Sequence, residues 1–201
     1  GGLADYGCFP AARAVPLPDA MTFAEAAAFQ VAYGTSHVAL DHKARLLPGE
    51  TLLVLGAAGG VGLTAVEIGK QMGARVIACA RGADKLDVAK QAGADHLTAA
   101  MRACNPEARI LAIGFASGDV PQIPANHLLV KNISVMGLYW GGYLKFRPEV
   151  LTQSMATLFD WYAAGRLRPH VSHLLPLEQA AEALELLRTR KSTGKVVVTL
   201  E

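Results

Sequence analysis

The residues with the types and spacing to do chemistry sit in one run, Gly56-Ala57-Ala58-Gly59-Gly60-Val61-Gly62. The first turn of an α-helix carries unpaired N–H groups and a partial positive charge. Glycines just before such a turn let the backbone approach a pyrophosphate with no Cβ in the way. The run reads as Ala57-x-Gly59-x-x-Gly62, with alanine in the first place of G-x-G-x-x-G, or as Gly56-x-x-Gly59-x-x-Gly62. A glycine pattern alone is weak, but this one follows an apolar run and opens a helical one, the context that gives it meaning. It implies a dinucleotide-binding loop. The competing reading is a glycine turn needed only for close helix–strand packing.

The next apolar run, Arg75-Val76-Ile77-Ala78-Cys79, ends in Ala80-Arg81, with Lys85 one helical turn later. A carboxylate at that end would bind the ribose 2′-hydroxyl of NAD. Two cations and no acid there favour the 2′-phosphate of NADP instead. Asp84 lies past the strand end and suits a helix N-cap; Arg81 and Lys85 can also be read as ordinary solvated charges.

These groups need rigid elements to hold them. Thr51–Leu55 is wholly apolar after Thr51, as in a parallel strand buried on both faces. Leu63–Met72 has helical periodicity and stops at Gly73. A helix over about Asp84–Gln91 and a short strand at Asp95–Leu97 continue the alternation, which predicts a doubly wound parallel sheet with helices on both faces. Further strands are expected at Arg109–Ile113, Ile133–Tyr139 and Lys195–Leu200, and helices at about Pro148–Ala164 and Leu177–Arg188. Upstream, Met21 to about Leu40 reads as a helix. Thr22 and Glu25 form its capping box, and Gly34 is expected to break the run.

Composition narrows the function classes. With 201 residues, 52% hydrophobic and 18% charged, the chain is neither disordered nor short of core. It amounts to one large domain or a domain and a half. A formal net charge of +2 gives no argument for nucleic acid or an acidic partner. No apolar run reaches the length of a membrane span, and no signal-peptide pattern opens the chain, so a cytoplasmic location is expected. Cys8, Cys79 and Cys104 are too few and too scattered for a disulfide framework. His170 and His173 lack an acidic partner and are expected to bind no metal.

Taken together these residues resemble the quinone oxidoreductase branch of the zinc-independent medium-chain dehydrogenases/reductases. The resemblance is carried by Ala27-Ala28 with Tyr33-Gly34-Thr35, by Pro48-Gly49-Glu50 leading into the glycine run, and by Gly114-Phe115-Ala116-Ser117-Gly118. Lys131-Asn132, Gly165-Arg166-Leu167-Arg168-Pro169, Pro176-Leu177-Glu178-Gln179-Ala180 and Gly194-Lys195-Val196-Val197-Val198 complete it. It implies a Rossmann-type sheet plus remnants of a mixed-β (GroES-like) catalytic domain. The division would be 1–32 and 141–201 to the catalytic domain and 33–140 to the NADP-binding domain. It implies hydride transfer from NADPH to a quinone or another conjugated carbonyl. Such an acceptor is already electrophilic, so the protein supplies orientation and a shielded pocket.

By the family pattern Thr35 would lie near the nicotinamide, and Ala58, Gly59, Gly60, Val61 and Gly62 around the pyrophosphate. Arg81 and Lys85 would meet the 2′-phosphate. Phe115, Ala116, Ser117 and Gly118 would stand beside the nicotinamide ribose, Leu138 and Tyr139 would close the pocket, and Arg190 would reach in from the tail. Phe115 and Tyr139 read equally well as core or interface aromatics. No catalytic acid stands out; Tyr33, Tyr139 and Tyr143 are candidates by type alone.

Two departures accompany the resemblance. The family has a further N-terminal stretch before Gly1, and a longer segment where this sequence passes from Thr98 to Met101. Loss of a strand there would leave an open edge within the sheet, so the sequence reads as two pieces joined near 98–100, a genuine deletion being the other possibility. The strand near 132–140 is expected to pair with its copy in a homodimer. Two rival functions stay open: an enoyl-thioester or acrylyl-type reductase, and a non-catalytic, crystallin-like NADPH-binding protein.

Overall fold

In the computed structural model, residues 2–80, 96–97, 105–115 and 125–200 are described. Strand β1 (Thr51–Leu55) pairs in parallel with β2 (Arg75–Cys79), in register from Thr51 with Arg75 to Leu55 with Cys79. Helix α2 (Gly60–Gln71) makes the crossover between them. Two residues of β3 (His96–Leu97) extend the sheet beyond β2, alongside Ile77 and Ala78. The β-branched and small residues explain the packing: Val54, Ala57, Val66, Val76 and Ala78 form one buried cluster under α2.

Helix α1 (Phe23–His37) starts as its sequence dictates. Thr22 accepts the Glu25 N–H at 3.2 Å, and the Glu25 carboxylate accepts the Thr22 N–H at 3.0 Å. Its expected break at Gly34 does not occur. The helix runs on and widens into a π-helical segment, Val38–Lys43. The reason is packing: a Cβ on Gly34 would lie 2.9 Å from the indole nitrogen of Trp140, so the glycine makes room for a ring. The boundary expected between residues 32 and 33 falls inside this helix.

Beyond the crossover unit come β4 (Arg109–Ala112), α3 (Ala125–Lys131), β5 (Ser134–Gly137), the single turn α4 (Tyr143–Phe146) and α5 (Pro148–Ala163). The chain closes with β6 (Val171–Pro176), α6 (Ala180–Arg188) and β7 (Lys195–Thr199). Helix α1 packs on α2 and α5, around Phe29, Tyr33, Ile68, Met155, Leu158 and Leu167. A second cluster joins Val38 and Ala39 to Leu138, Tyr143, Val150 and Leu151.

All strand pairs among the described residues are parallel, as expected for the doubly wound sheet and in contrast to the mixed-β pairing expected over 141–201, but a single continuous sheet is not formed among them. The order is β1-β2-β3, with β4-β5 and β6-β7 as separate pairs. Arg109, at the start of β4, reaches the carboxylate of Glu50 just before β1 and ties the two strand starts together. In β1 only Val54 is buried, and Leu55 is 54% exposed. The burial on both faces expected of this run is therefore not seen: α2 covers the Val54 side, and β2 is the one strand bonded to β1 among the described residues.

Candidate functional site

The glycine run turns the chain from β1 into α2. Gly56 takes a left-handed conformation, φ +70°, that a side chain would strain. The Ala57 N–H donates to the Cys79 carbonyl at 2.9 Å and ties the turn to the end of β2. The Gly59 N–H donates to the Gly56 carbonyl at 3.0 Å. A Cβ on Gly62 would lie 2.2 Å from the Gly56 carbonyl oxygen, so no larger residue fits.

Helix α2 opens without a cap. Gly59 is its N-cap and has no side chain to offer, and the first bond into the helix is Leu63 N–H to Gly59 carbonyl, at 2.8 Å. The amides of Gly60, Val61 and Gly62 are therefore left without an acceptor inside the helix. Helix α1, by contrast, opens on a complete capping box. A backbone-lined turn leading to an uncapped helix of twelve residues fits the pyrophosphate of a dinucleotide.

Helix α1 supports this turn from behind. Ser36 Oγ donates to the Val61 carbonyl at 2.9 Å and lies 2.8 Å from Thr64 Oγ1. Thr64 Oγ1 is also 3.1 Å from the Ala32 carbonyl. These two hydroxyls were not singled out in the sequence. Their signal was a polar residue one turn into the helix after the glycines, and a second one beside Thr35.

The structure brings Ala58, Gly59, Gly60, Val61 and Gly62 together at one turn, with Cys79 at the strand end where a carboxylate would read NAD. Thr35 is buried within α1. Leu138 is buried in the second cluster, whereas Tyr139 is 80% exposed with its ring against Gly142. Phe115 is about half exposed, and Arg190 occupies the turn after α6. Arg81, Lys85, Ala116, Ser117 and Gly118 lie outside the described residues, as do Cys104, the helix expected over Asp84–Gln91 and the junction near 98–100.

A groove of about 650 Å³ runs along α2, walled by α1 and by the segments around Arg168 and Gly194. Within it Tyr33 donates its hydroxyl to one Glu67 oxygen at 2.5 Å, and the Arg168 N–H donates to the other at 2.6 Å. Burial pushes the Glu67 carboxyl above its ordinary value, against the pull of those two donors. Burial and the Glu67 charge push the Tyr33 phenol up as well. A phenol so bonded is a poor proton donor to anything else. Tyr143 is buried in the second cluster, so neither tyrosine stands out as an acid.

A second cavity, about 550 Å³, gathers Lys43, Arg45, Arg109 and Arg147 around Tyr143 and Phe146. It includes Arg109 at the starting end of β4, away from the carboxyl ends where ligands of open parallel sheets bind. His170 Nε2 is 3.0 Å from Thr193 Oγ1 and His173 Nδ1 is 2.9 Å from Ser172 Oγ, so the two rings have separate partners. Among the described residues no group of three histidine, cysteine, aspartate or glutamate side chains could hold a metal ion, and no helix is long and apolar enough to cross a membrane.

Comparison with known proteins follows the same lines. Residues 76–198 match the model of a family described as zinc-binding dehydrogenase. The quinone oxidoreductase-like protein 2 homolog of Nematostella vectensis is 34% identical over 233 aligned positions, covering 98% of this chain and 64% of that protein. The bovine quinone oxidoreductase-like protein 2 is 35% identical, covering 92% and 63%. The crystal structure of quinone oxidoreductase from Thermus thermophilus, described also in complex with NADPH, superposes with a TM-score of 0.87 at 29% identity, covering 100% of this chain and 74% of its own. The chain thus spans a little under two thirds of the curated relatives' length. The 233 aligned positions exceed its 201 residues, so at least 32 positions of the Nematostella protein have no counterpart here. Among the described residues nothing offers a donor set for the metal in the family's description.

Proposed function

The chain belongs to the zinc-binding dehydrogenase family, in its quinone-oxidoreductase-like branch, and from that premise we propose that it serves an NADPH-dependent oxidoreductase activity on a quinone or another conjugated carbonyl. The observation that carries this reading is the uncapped α2 behind a glycine turn in which Gly62 has no room for a Cβ. The NADPH complex of the Thermus enzyme supports the choice of coenzyme.

When bound, the dinucleotide supplies a hydride at its nicotinamide ring. The chain's own residues do the rest. The amides of Gly60, Val61 and Gly62 bind the pyrophosphate, and Ser36 and Thr64 hold the first turn of α2 in place. The thiol of Cys79, in place of a carboxylate at the end of β2, leaves a 2′-phosphate unopposed. Arg81 and Lys85 are assigned to that phosphate from their place in the sequence.

The test is NADPH and NADH oxidation by the full-length protein with a panel of quinones and enones. NADPH-dependent turnover is expected, and Lys85→Glu is expected to weaken NADPH far more than NADH. Tight NADPH binding without turnover on any acceptor would favour the crystallin-like alternative. No binding of either coenzyme would refute the reading.

A further inference from the structure

The tail of the chain touches the glycine turn itself. The Gly194 N–H donates to the Ala58 carbonyl at 2.9 Å, and Gly194 and Gly59 form a parallel bridge. Gly194 has φ +57°, and a Cβ there would stand 2.5 Å from both the ring and the carbonyl of His170. The His170 carbonyl accepts the Lys195 N–H at 3.0 Å, and the His170 ring bonds the Thr193 hydroxyl. From the other side, a Cβ on Gly60 would lie 2.9 Å from the Lys195 stem and 3.2 Å from the Gly194 carbonyl. Gly194 thus has no room for a methyl group against His170, and Gly60, 134 positions away, has little room against Lys195 and the Gly194 carbonyl.

We propose that this tail contact is a latch, with Gly194 as a positioning residue for the glycine turn and the His170–Thr193 pair holding Gly194 in its left-handed conformation. The latch fixes the Ala58–Gly59 backbone next to Ala57, which is already tied to Cys79. A turn tied at two neighbouring residues presents its amides in one arrangement, so less ordering is left for a pyrophosphate to impose. The consequence for the coenzyme rests on the function proposed above; the latch itself does not.

The experiment is hydrogen exchange of the peptide spanning residues 57–63 in the full-length protein, with and without NADPH, for wild type, Thr193→Val and Thr193→Ser. Gly194→Ala is the harsher variant, and Thr193→Val keeps the test open if that one fails to fold. Thr193→Val is expected to speed exchange of the turn and raise the NADPH Kd by about tenfold each, the usual order for one lost hydrogen bond. It should leave kcat at saturating NADPH unchanged, and Thr193→Ser should restore both values. If Thr193→Val lowers only the melting temperature and leaves turn exchange at the wild-type rate, the latch is overturned. If wild type binds no NADPH yet Thr193→Val still speeds exchange, the proposed function falls and the latch stands.

Discussion

At the scale of single residues, the chemistry is divided between glycines and two polar clusters. Gly56 and Gly62 were legible because only glycine meets a left-handed turn and a 2.2 Å approach to a carbonyl. Glu67 was not legible. A glutamate on a helix normally faces water, and nothing in its neighbours showed that Tyr33 and Arg168, 34 and 101 positions away, would close over it. Burial raises this carboxyl above its ordinary 4.5, so the folded chain holds the proton more tightly than the unfolded one. The stability it contributes is therefore present below that pH and lost as pH rises through the raised value. Glu67→Gln has no proton to lose. The melting temperature of wild type relative to Glu67→Gln is expected to fall as pH rises above 4.5. A difference constant with pH would show an ordinary surface carboxyl.

At the scale of elements, boundaries followed local chemistry wherever that chemistry was complete. β1 and β2 match the apolar runs residue for residue, and α1 starts at the Thr22–Glu25 box. Thr22→Ala removes the hydroxyl that accepts the Glu25 N–H, at a cost of about 1 kcal/mol. The expected drop in melting temperature is about 2–4 °C for a chain of this size; no change would mean that Tyr162, which also bonds Glu25, holds the start of α1 unaided. Gly34 misled because a mid-helix glycine is read from propensity, whereas its neighbour Trp140 comes from a distant segment. β6 had no clear period, since its residues are mostly half-buried and a bulge interrupts it between Val171 and His173.

At the scale of the whole molecule, several apolar groups lie open. Leu129 and Val130 on α3 are each 79% exposed, and Val135 on β5 is 37% exposed. Among the described residues β5 is bonded to β4 alone. We propose that this edge is covered by a second copy of the chain, strand to strand, which would bury an otherwise aggregation-prone surface. Light scattering of the full-length protein is expected to give twice the mass of one chain, and a Val135→Lys variant to give one. A wild-type monomer would overturn the pairing.

The sequence by itself determined the crossover unit, its glycine turn and the family, because each is built from short local motifs, those of the family being spread from Ala27 to Val198. Local spacing suffices to set a strand, a turn and an uncapped helix. What only the tertiary structure decided was everything built by distant partners. Ser36 and Thr64 meet across α1 and α2, Glu67 is enclosed by Tyr33 and Arg168, and Gly194 closes on Ala58. Such contacts arise when packed elements exclude water and force polar groups to find partners, and no spacing along the chain encodes which partners those are.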